Sequence, residues 1–260
     1  MLRYTLRRFL GAWPTLLILL TLAFFLMRAA PGGPFDTEKT LAPEIQANLD
    51  KKYHLDEPLI EQYGRYLFDL ARGDFGPSFQ YKDYTVNELI AAGFPVSLRL
   101  GGTAIILAFF IGGLFGTIAA LRQNTAVDYA VMATAMTGIS IPNFVLAPLM
   151  ILVFAVNLQW LPAGGWNDGA FANMILPIIA LTLPYVAYIS RLMRSSMIEV
   201  LRSNPIRTAR AKGLPEHIVI LRHAMKPALL PVVSFLGPAT AGILTGSVVI
   251  EQIFGIPGLG

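Results

Sequence analysis

Five stretches of this chain carry no charged residue over about the length that an α-helix needs to cross a membrane, roughly 20 residues. They constrain the fold strongly, because about one residue in four is charged in a soluble domain. Here only 14% of the residues are charged, and the mean hydropathy is +0.58. The pattern predicts an all-α protein that crosses a membrane several times. The charge-free stretches are residues 9–27, 100–121, 129–167, 169–190 and 227–250.

The third stretch is longer than one span, and we predict a helix from about residue 129 to residue 158, followed by the apolar loop QWLPAGGWN. The first stretch follows three arginines, as in a secretory signal peptide. It is longer than a typical signal-peptide core, however, and no A-x-A cleavage site follows it. We interpret it as a retained first helix, so that five transmembrane helices are predicted.

Positive charges are concentrated in alternate loops. Residues 191–226 contain eight Lys and Arg against two Glu, whereas residues 31–95 contain six Lys and Arg against eleven Asp and Glu. Loops rich in Lys and Arg stay in the cytoplasm, which predicts a cytoplasmic N-terminus and places residues 31–95 outside. With five spans, EQIFGIPGLG (251–260) also lies outside, and we expect a sixth span after Gly260.

The same charge pattern predicts three regions. Residues 1–30 form the cytoplasmic N-terminus and the first helix, and residues 31–95 form the outer segment. Residues 96–260 form the helical core, with a cytoplasmic loop at 195–226.

The outer segment has the pattern of ordered structure. Apolar residues recur at helical spacing between Asp56, a predicted N-cap, and Gly73, a predicted helix stop. TVNE (85–88) predicts a capping box at the start of a short helix that leads into the second span. The segment fits either a packing cap on the core or a docking surface for an outer partner.

Motifs of several enzyme classes are absent from the sequence. It contains no G-x-x-x-x-G-K-[ST] loop for ATP, no H-E-x-x-H and no G-x-S-x-G. There is no cysteine and the three histidines are scattered, so neither disulfides nor a metal site are predicted. The predicted spans have no internal charge, which argues against a proton-driven carrier and an intramembrane protease. Because the charges are segregated into loops, nucleic-acid binding is not expected.

Glycine and proline are frequent within the predicted spans. Small residues let helices pack closely, and breaks let them bend. We interpret the G-x-x-x-G pair of Gly112 and Gly116 as ordinary helix packing. The spans as a whole predict a bundle that flexes around a pathway with a polar but uncharged lining. The candidate lining residues are Ser234, Thr240, Thr245 and Ser247.

The cytoplasmic loop contains RTARAKG (207–213), which predicts a short basic helix that Gly213 ends in a left-handed conformation. Leu214 and Pro215 then redirect the chain. The helix fits either a groove on a partner protein or an anchor that contacts lipid head groups. The candidate docking residues are Arg207, Thr208, Ala209, Arg210, Ala211, Lys212, Gly213, Leu214 and Pro215.

This loop resembles the signature of permease subunits of ABC importers, in which a glycine follows E-A-A by four residues. Arg207, Thr208 and Ala209 occupy the E-A-A positions and Gly213 that of the glycine, while Pro227 comes one residue late. Arginine for glutamate and threonine for alanine are typical of the branch that carries oligopeptides and dipeptides, and the chain is most similar to the oligopeptide permeases. The resemblance extends to LRYTLRRFL, GDFGPSFQYKDYTVNELI, MTGISIPNFV, LRHAMKPALLPV and TGSVVIEQIFGIPGLG.

The resemblance implies the transmembrane fold of type I ABC importers and a multi-pass subunit in the inner membrane of a bacterium. It implies that this subunit is not an enzyme and binds no cofactor. Two cytoplasmic ATPase subunits would use ATP and magnesium, each gripping one coupling helix, here Arg207 to Pro215. The other implied partners are a second homologous permease, a periplasmic peptide-binding protein and membrane lipid.

The sequence leaves alternatives open. Related permeases carry dipeptides, nickel complexes or other small solutes instead of oligopeptides. A membrane scaffold that only recruits a cytoplasmic partner is the hypothesis from a different class. Glycine and proline in several spans favour a transport subunit, because a scaffold has no need of helices that bend.

Overall fold

A computed structural model of the chain describes residues 2–29, 56–78, 81 and 84–260. Within these residues the protein is helical, apart from an isolated strand-like bridge between Pro77 and Thr85. The predicted all-α class is confirmed. The helices are α1 (Leu2–Ala29), α2 (Leu59–Ala71), α3 (Val86–Leu121), α4 (Ala126–Ser140), α5 (Asn143–Met150), α6 (Phe171–Leu201), α7 (Asn204–Ala211), α8 (Glu216–Ile218), α9 (Met225–Gly246) and α10 (Val248–Phe254); Ile151–Asn157 and Val219–Ala224 are π-helical, and Asn167–Gly169 is a 3₁₀ turn.

Four helical segments of the described residues are long and apolar enough to cross a membrane, and a bent pair makes five if it forms one span. The bent pair, Ala126–Ser140 and Asn143–Asn157, turns through 100°. The predicted third span therefore corresponds to a bent pair of helices and not to one straight helix. Proline disfavours α-helical backbone in the residue before it, and Ile141, before Pro142, is extended (φ −104°, ψ 119°). The four long segments are Thr5–Ala29, Val86–Leu121, Phe171–Leu201 and Glu216–Thr245.

The second span is longer than predicted. Helix α3 has 36 residues and begins at Val86, so the predicted short helix and the span are one helix. Its start confirms the predicted capping box: the Glu88 N–H donates to Thr85 Oγ1 (3.2 Å), and the Thr85 N–H donates to Glu88 Oε2 (2.8 Å). The last span ends before residue 250, because the helix is interrupted at Ser247 between α9 and α10, and its helical segment begins earlier than predicted, at Glu216.

The described residues up to Leu89 form one compact unit. Within it, α1 and α2 meet in an aromatic cluster of Phe24, Tyr63 and Tyr66, whose ring centroids lie 5.4 Å from Phe24. The hydroxyl groups of Thr21 and Tyr63 share a hydrogen bond of 2.6 Å. The amphipathic pattern predicted for α2 thus corresponds to a helix packed along one face.

The ends of α2 confirm one predicted signal and correct another. Gly73 ends the helix with φ +79°, as predicted. Asp56 is not the N-cap, because the helix begins after Pro58 and Pro58 lacks a capping side chain. The predictions for residues 30–55, 79–80 and 82–83 lie outside the described residues.

Residues 90–260 form the second compact unit, in which α3 packs closely against α6. A Cβ atom at Gly116 would lie 2.5 Å from the carbonyl oxygen of Ser190 and 2.6 Å from Met193 Cβ. A Cβ at Gly112 would lie 2.8 Å from Ile189 Cβ. The interpretation of this glycine pair as helix packing is confirmed, and its partner helix belongs to the same chain.

Replacing Gly116 with alanine is expected to lower the free energy of unfolding by about 1–3 kcal/mol, because the added methyl group overpacks a contact with backbone atoms. Gly113→Ala is the matched control on the same helix, since no atom of the described part of the chain lies within 4 Å of a Cβ there. Alanine favours helix over glycine, so the control variant is expected to be neutral or more stable. Detergent-based denaturation of the purified chains compares the two, and equal losses would contradict this packing role.

Candidate functional site

The short basic helix predicted in the cytoplasmic loop is α7, and it is fixed to the rest of the unit by its inner face. Ile206 and Ala209, three residues apart, are buried. They belong to a hydrophobic cluster that includes Met193 and Met197 of α6 and Val219 of the following π-helical segment. The helix therefore has a firm connection to α6 and to the segment that leads into α9.

The helix starts earlier than RTARAKG. It begins at Asn204, three residues before Arg207, and Ser203 before it is extended. Pro205 occupies the first turn, where proline is favoured because the missing N–H has no helical partner to lose. The prediction of a helix is confirmed and its start is corrected.

The end of α7 has the geometry predicted for Gly213. Gly213 has φ +77°, a conformation that glycine adopts without the steric cost paid by other residues. Its N–H donates to the carbonyl of Arg210 (2.9 Å), and the N–H of Leu214 donates to the carbonyl of Ala209 (3.4 Å). This pair of bonds is a Schellman motif, which satisfies the last carbonyls of a helix.

The outer surface of α7 is basic. Arg210 forms an exposed ion pair with Glu216 of 2.5 Å, and this hydrogen bond raises the pKa of the Arg210 guanidinium above its ordinary value. Ala209 is buried and Leu214 half-buried, so they support the helix from within. The exposed candidate docking residues are Arg207, Thr208, Arg210, Ala211, Lys212, Gly213 and Pro215.

An ion pair that sequence reasoning missed fastens α4 to α6. Arg194 donates two hydrogen bonds to Asp128, Nε to Oδ1 (2.7 Å) and Nη2 to Oδ2 (2.5 Å). Asp128 is 1% exposed and also accepts the backbone N–H of Asn124 (2.9 Å). The two side chains are 66 positions apart, so no local pattern pairs them. Arg194 directly follows Met193, and the pair thus holds α4 beside the part of α6 that supports α7.

Two candidate lining residues lie on the exposed side of α9. The hydroxyl of Ser234 donates to the carbonyl of Leu230 (2.9 Å), and that of Thr245 donates to the carbonyl of Ala241 (2.8 Å). Each hydroxyl is therefore satisfied within its own helix and still offers lone pairs to the surface. Ser234 and Thr245 present small, uncharged polar groups.

Thr240 lies at a different surface, in an apolar cleft between α3 and α9. Among the described residues that line this cleft, which include Ile105, Phe109 and Leu236, Thr240 is the polar one. In the described part of the chain, no group of three or more His, Asp and Glu side chains is placed to hold a metal ion. The cleft at Thr240 and the exposed side of α9 therefore offer apolar packing surfaces and hydroxyl groups.

Ser247 does not line a surface, and its inclusion with the lining residues is corrected. It is 1% exposed, and its hydroxyl donates to Glu251 Oε1 (2.6 Å). Glu251 was assigned to an outer loop from the sequence, but it lies in α10 and is also 1% exposed. The i, i+4 spacing of the serine and the glutamate on a helix was the available signal for their contact.

The family of the chain follows from comparison with known proteins. Residues 112–260, more than half of the chain, match the model of the binding-protein-dependent transport system inner membrane component. Residues 1–101 match the N-terminal model of the membrane component of the same systems. The chain belongs to this family: it is a membrane permease subunit of a binding-protein-dependent transporter and not an enzyme.

Curated relatives match over the full chain. It is 62% identical over 260 residues to the oligopeptide transport system permease protein OppB of Salmonella typhimurium, of which it covers 85%. It is 61% identical to OppB of Escherichia coli K12, again covering 85%, and 50% identical to the dipeptide transport system permease protein DppB of Bacillus subtilis, covering 84%.

A solved structure supports the fold. The crystal structure of an amino acid ABC transporter with histidines matches 66% of this chain and 75% of its own chain, with a TM-score of 0.52 and 17% identity. At this identity the likeness concerns the fold alone. The predicted resemblance to ABC-importer permeases and to their transmembrane fold is confirmed.

Proposed function

We propose that the chain is one permease of an ATP-driven oligopeptide importer and contributes half of the pathway across the inner membrane of a bacterium. The observation that carries the proposal is the 62% identity, over the whole chain, to a protein whose name gives oligopeptides as its cargo. The small, uncharged polar surface of α9 supports it, because a pathway for peptides of many sequences has no use for a fixed charge. Ser234 and Thr245 are the residues assigned to the lining on this face of α9, and Thr240 is assigned to it from the separate cleft between α3 and α9.

The partners are proposed from the family and from α7. Two cytoplasmic ATPase subunits supply ATP hydrolysis with magnesium, and one of them binds α7 as the coupling helix, residues Arg207 to Pro215. Two observations support this role: the inner face of α7 is buried through Ile206 and Ala209, and its outer face exposes cations. A helix that transmits movement needs a buried face fixed to its own subunit and an exposed face for its partner, and α7 has both.

A second homologous permease and a periplasmic peptide-binding protein complete the assembly. Helix α1 exposes most of its apolar side chains within its own unit, which supports contact with membrane lipid or with a neighbouring helix. Dipeptides are the second candidate cargo, because a dipeptide permease is 50% identical over the full chain.

Reconstitution of the complete complex in liposomes tests the function. The ATPase side receives ATP and magnesium, and the other side receives binding protein and labelled peptides of two to six residues. ATP-dependent uptake that favours the longer peptides is the expected result. Preference for dipeptides would select the second candidate, and uptake by the isolated chain without ATP would contradict the proposal.

The N-terminus is proposed to be cytoplasmic, with α7 on the same side of the membrane and the 167–169 turn on the opposite side. The chain has no native cysteine, so single cysteines report without background. Asp168→Cys is expected to react with an impermeant maleimide only from the periplasm, and Lys212→Cys only from the cytoplasm. Both positions are exposed. Labelling from the same side would overturn the orientation.

A further inference from the structure

Glu251 is a buried carboxylate that no cation compensates among the described residues. Its Oε1 accepts hydrogen bonds from the hydroxyls of Ser97 and Ser247, both 2.6 Å, and its Oε2 accepts the backbone N–H of Gly260 (2.8 Å). These residues form the Glu251 cluster: Glu251, Ser97, Ser247 and Gly260. They join three parts of the unit: α3, the junction of α9 with α10, and the loop of residues 255–260.

The loop is held closely at this cluster. The N–H of Leu259 donates to Ser97 Oγ (2.9 Å), so the same hydroxyl bonds both the carboxylate and the loop. A Cβ at Gly258 would overlap the Glu251 carboxylate, and a Cβ at Gly93 of α3 would lie 2.6 Å from the Gly258 carbonyl oxygen. The loop backbone is therefore pressed against both the carboxylate and α3.

A second contact holds the end of α10. The N–H of Gly165 donates to the carbonyl of Phe254 (2.7 Å), and Asn173 Nδ2 donates to the carbonyl of Gly164 (2.8 Å). The chain between α5 and α6 thus binds the last turn of α10 through backbone groups. Together with the Glu251 cluster, these bonds fix the point at which α9 passes into α10.

A carboxylate suits this place better than an amide does. All three of its partners act as donors, and an ionised carboxylate is purely an acceptor. A buried charged group is costly unless hydrogen bonds satisfy it, and a satisfied polar network favours one arrangement over others. Burial of Glu251 costs free energy, but its hydrogen bonds hold the loop and the helix junction in one defined position.

We propose that Glu251 is a positioning residue for transport: it pins the outer end of α9 and the loop of residues 255–260 to α3. This inference depends on the proposed function and on its orientation. Helix α9 connects at its other end to the π-helical segment packed against α7. Because the outer end is fixed, a movement of α7 shifts only the inner end of α9 and does not displace the whole helix. ATP hydrolysis thereby stays coupled to opening of the pathway.

The experiment uses the complete complex and a single-cysteine reporter, Leu259→Cys, at a position that is 40% exposed. Glu251→Gln places an NH₂ group where an acceptor is needed, so the loop bond or the serine bonds are lost. Loss of one such bond is expected to make labelling of the reporter by an impermeant maleimide about tenfold faster. The same variant is expected to transport several-fold fewer peptides per ATP, while the ATPase subunits remain bound.

Serine variants separate positioning from general stability. Ser97→Ala removes the bonds of α3 to both the carboxylate and the Leu259 N–H, so it is expected to speed labelling as Glu251→Gln does. Ser247→Ala removes a bond within the α9–α10 junction only and is expected to leave labelling near the wild-type rate. The matched controls are Glu199→Gln and Ser140→Ala, both exposed residues.

The outcomes are distinct. Lower thermal stability with unchanged labelling and unchanged peptides per ATP would overturn the proposal and leave Glu251 a structural residue. Equal effects of Ser97→Ala and Ser247→Ala would overturn it as well, and this comparison remains available if Glu251→Gln does not fold. Failure of the proposed function would be recognised separately, because the wild-type complex would then show no peptide uptake while the labelling differences persisted.

Discussion

Replacing Arg194 with methionine is expected to lower the free energy of unfolding by about 3–5 kcal/mol, the cost of leaving a buried charge without its partner. Asp128 is 1% exposed and would retain only the N–H of Asn124. Methionine preserves much of the volume of the arginine stem, so the loss reports the ion pair more than a cavity. Denaturant titration of the purified chain in mixed micelles, followed by the fluorescence of its three tryptophans, measures the change.

Two comparisons give the ion pair its control. Asp128→Asn is expected to cost less, about 1–3 kcal/mol, because the amide oxygen still accepts the Asn124 N–H and the Arg194 side chain, 27% exposed, reaches water. Arg65→Met breaks the exposed pair with Glu57 and is expected to cost less than about 1 kcal/mol. Similar losses for Arg194→Met and Arg65→Met would show that the buried pair does not stabilise the packing of α4 on α6.

The features predicted correctly from the sequence depend on neighbouring residues. The capping box at Thr85 and Glu88 is set by a spacing of three positions. The ends of α2 and α7 are set by Gly73 and Gly213, whose backbone requirement is local. Charge-free length likewise predicts a membrane helix without reference to any other part of the chain.

The features that sequence reasoning missed depend on distant residues or on a signal that was outweighed. Ser97 and Glu251 are 154 positions apart, and a carboxylate is placed at the surface by default because it is rarely buried without partners. The bend between α4 and α5 had a local signal in Pro142, but a proline within an apolar run does not by itself predict a turn of 100°. The packing of distant residues thus removes Ser247 from the candidate lining. The basic helix α7 lies where the sequence predicts it, because its pattern is local.

Gly213→Val is expected to reduce peptide uptake by the reconstituted complex at least about tenfold, whereas Gly213→Ala is expected to reduce it mildly. A left-handed conformation costs an ordinary residue roughly 1–2 kcal/mol, and a β-branched residue more. Among the described residues, no atom lies within 4 Å of a Cβ at Gly213. If uptake falls by more than this backbone strain can explain, the additional loss reports a steric clash with a partner protein at the end of α7.

Gly73→Val supplies the matched control for that strain. Gly73 has φ +79°, its N–H donates to the carbonyl of Leu70 (3.0 Å), and the N–H of Asp74 donates to the carbonyl of Asp69 (2.9 Å), so α2 ends in the same motif as α7. A Cβ at Gly73 would likewise have no neighbour within 4 Å among the residues that the structure describes. Both valine variants are expected to lose similar stability, but only Gly213→Val is expected to weaken binding of the ATPase subunits and peptide-stimulated ATP hydrolysis. If α7 is instead a lipid anchor, Gly213→Val will behave as Gly73→Val does, and neutralising Arg207, Arg210 and Lys212 will disturb membrane topology.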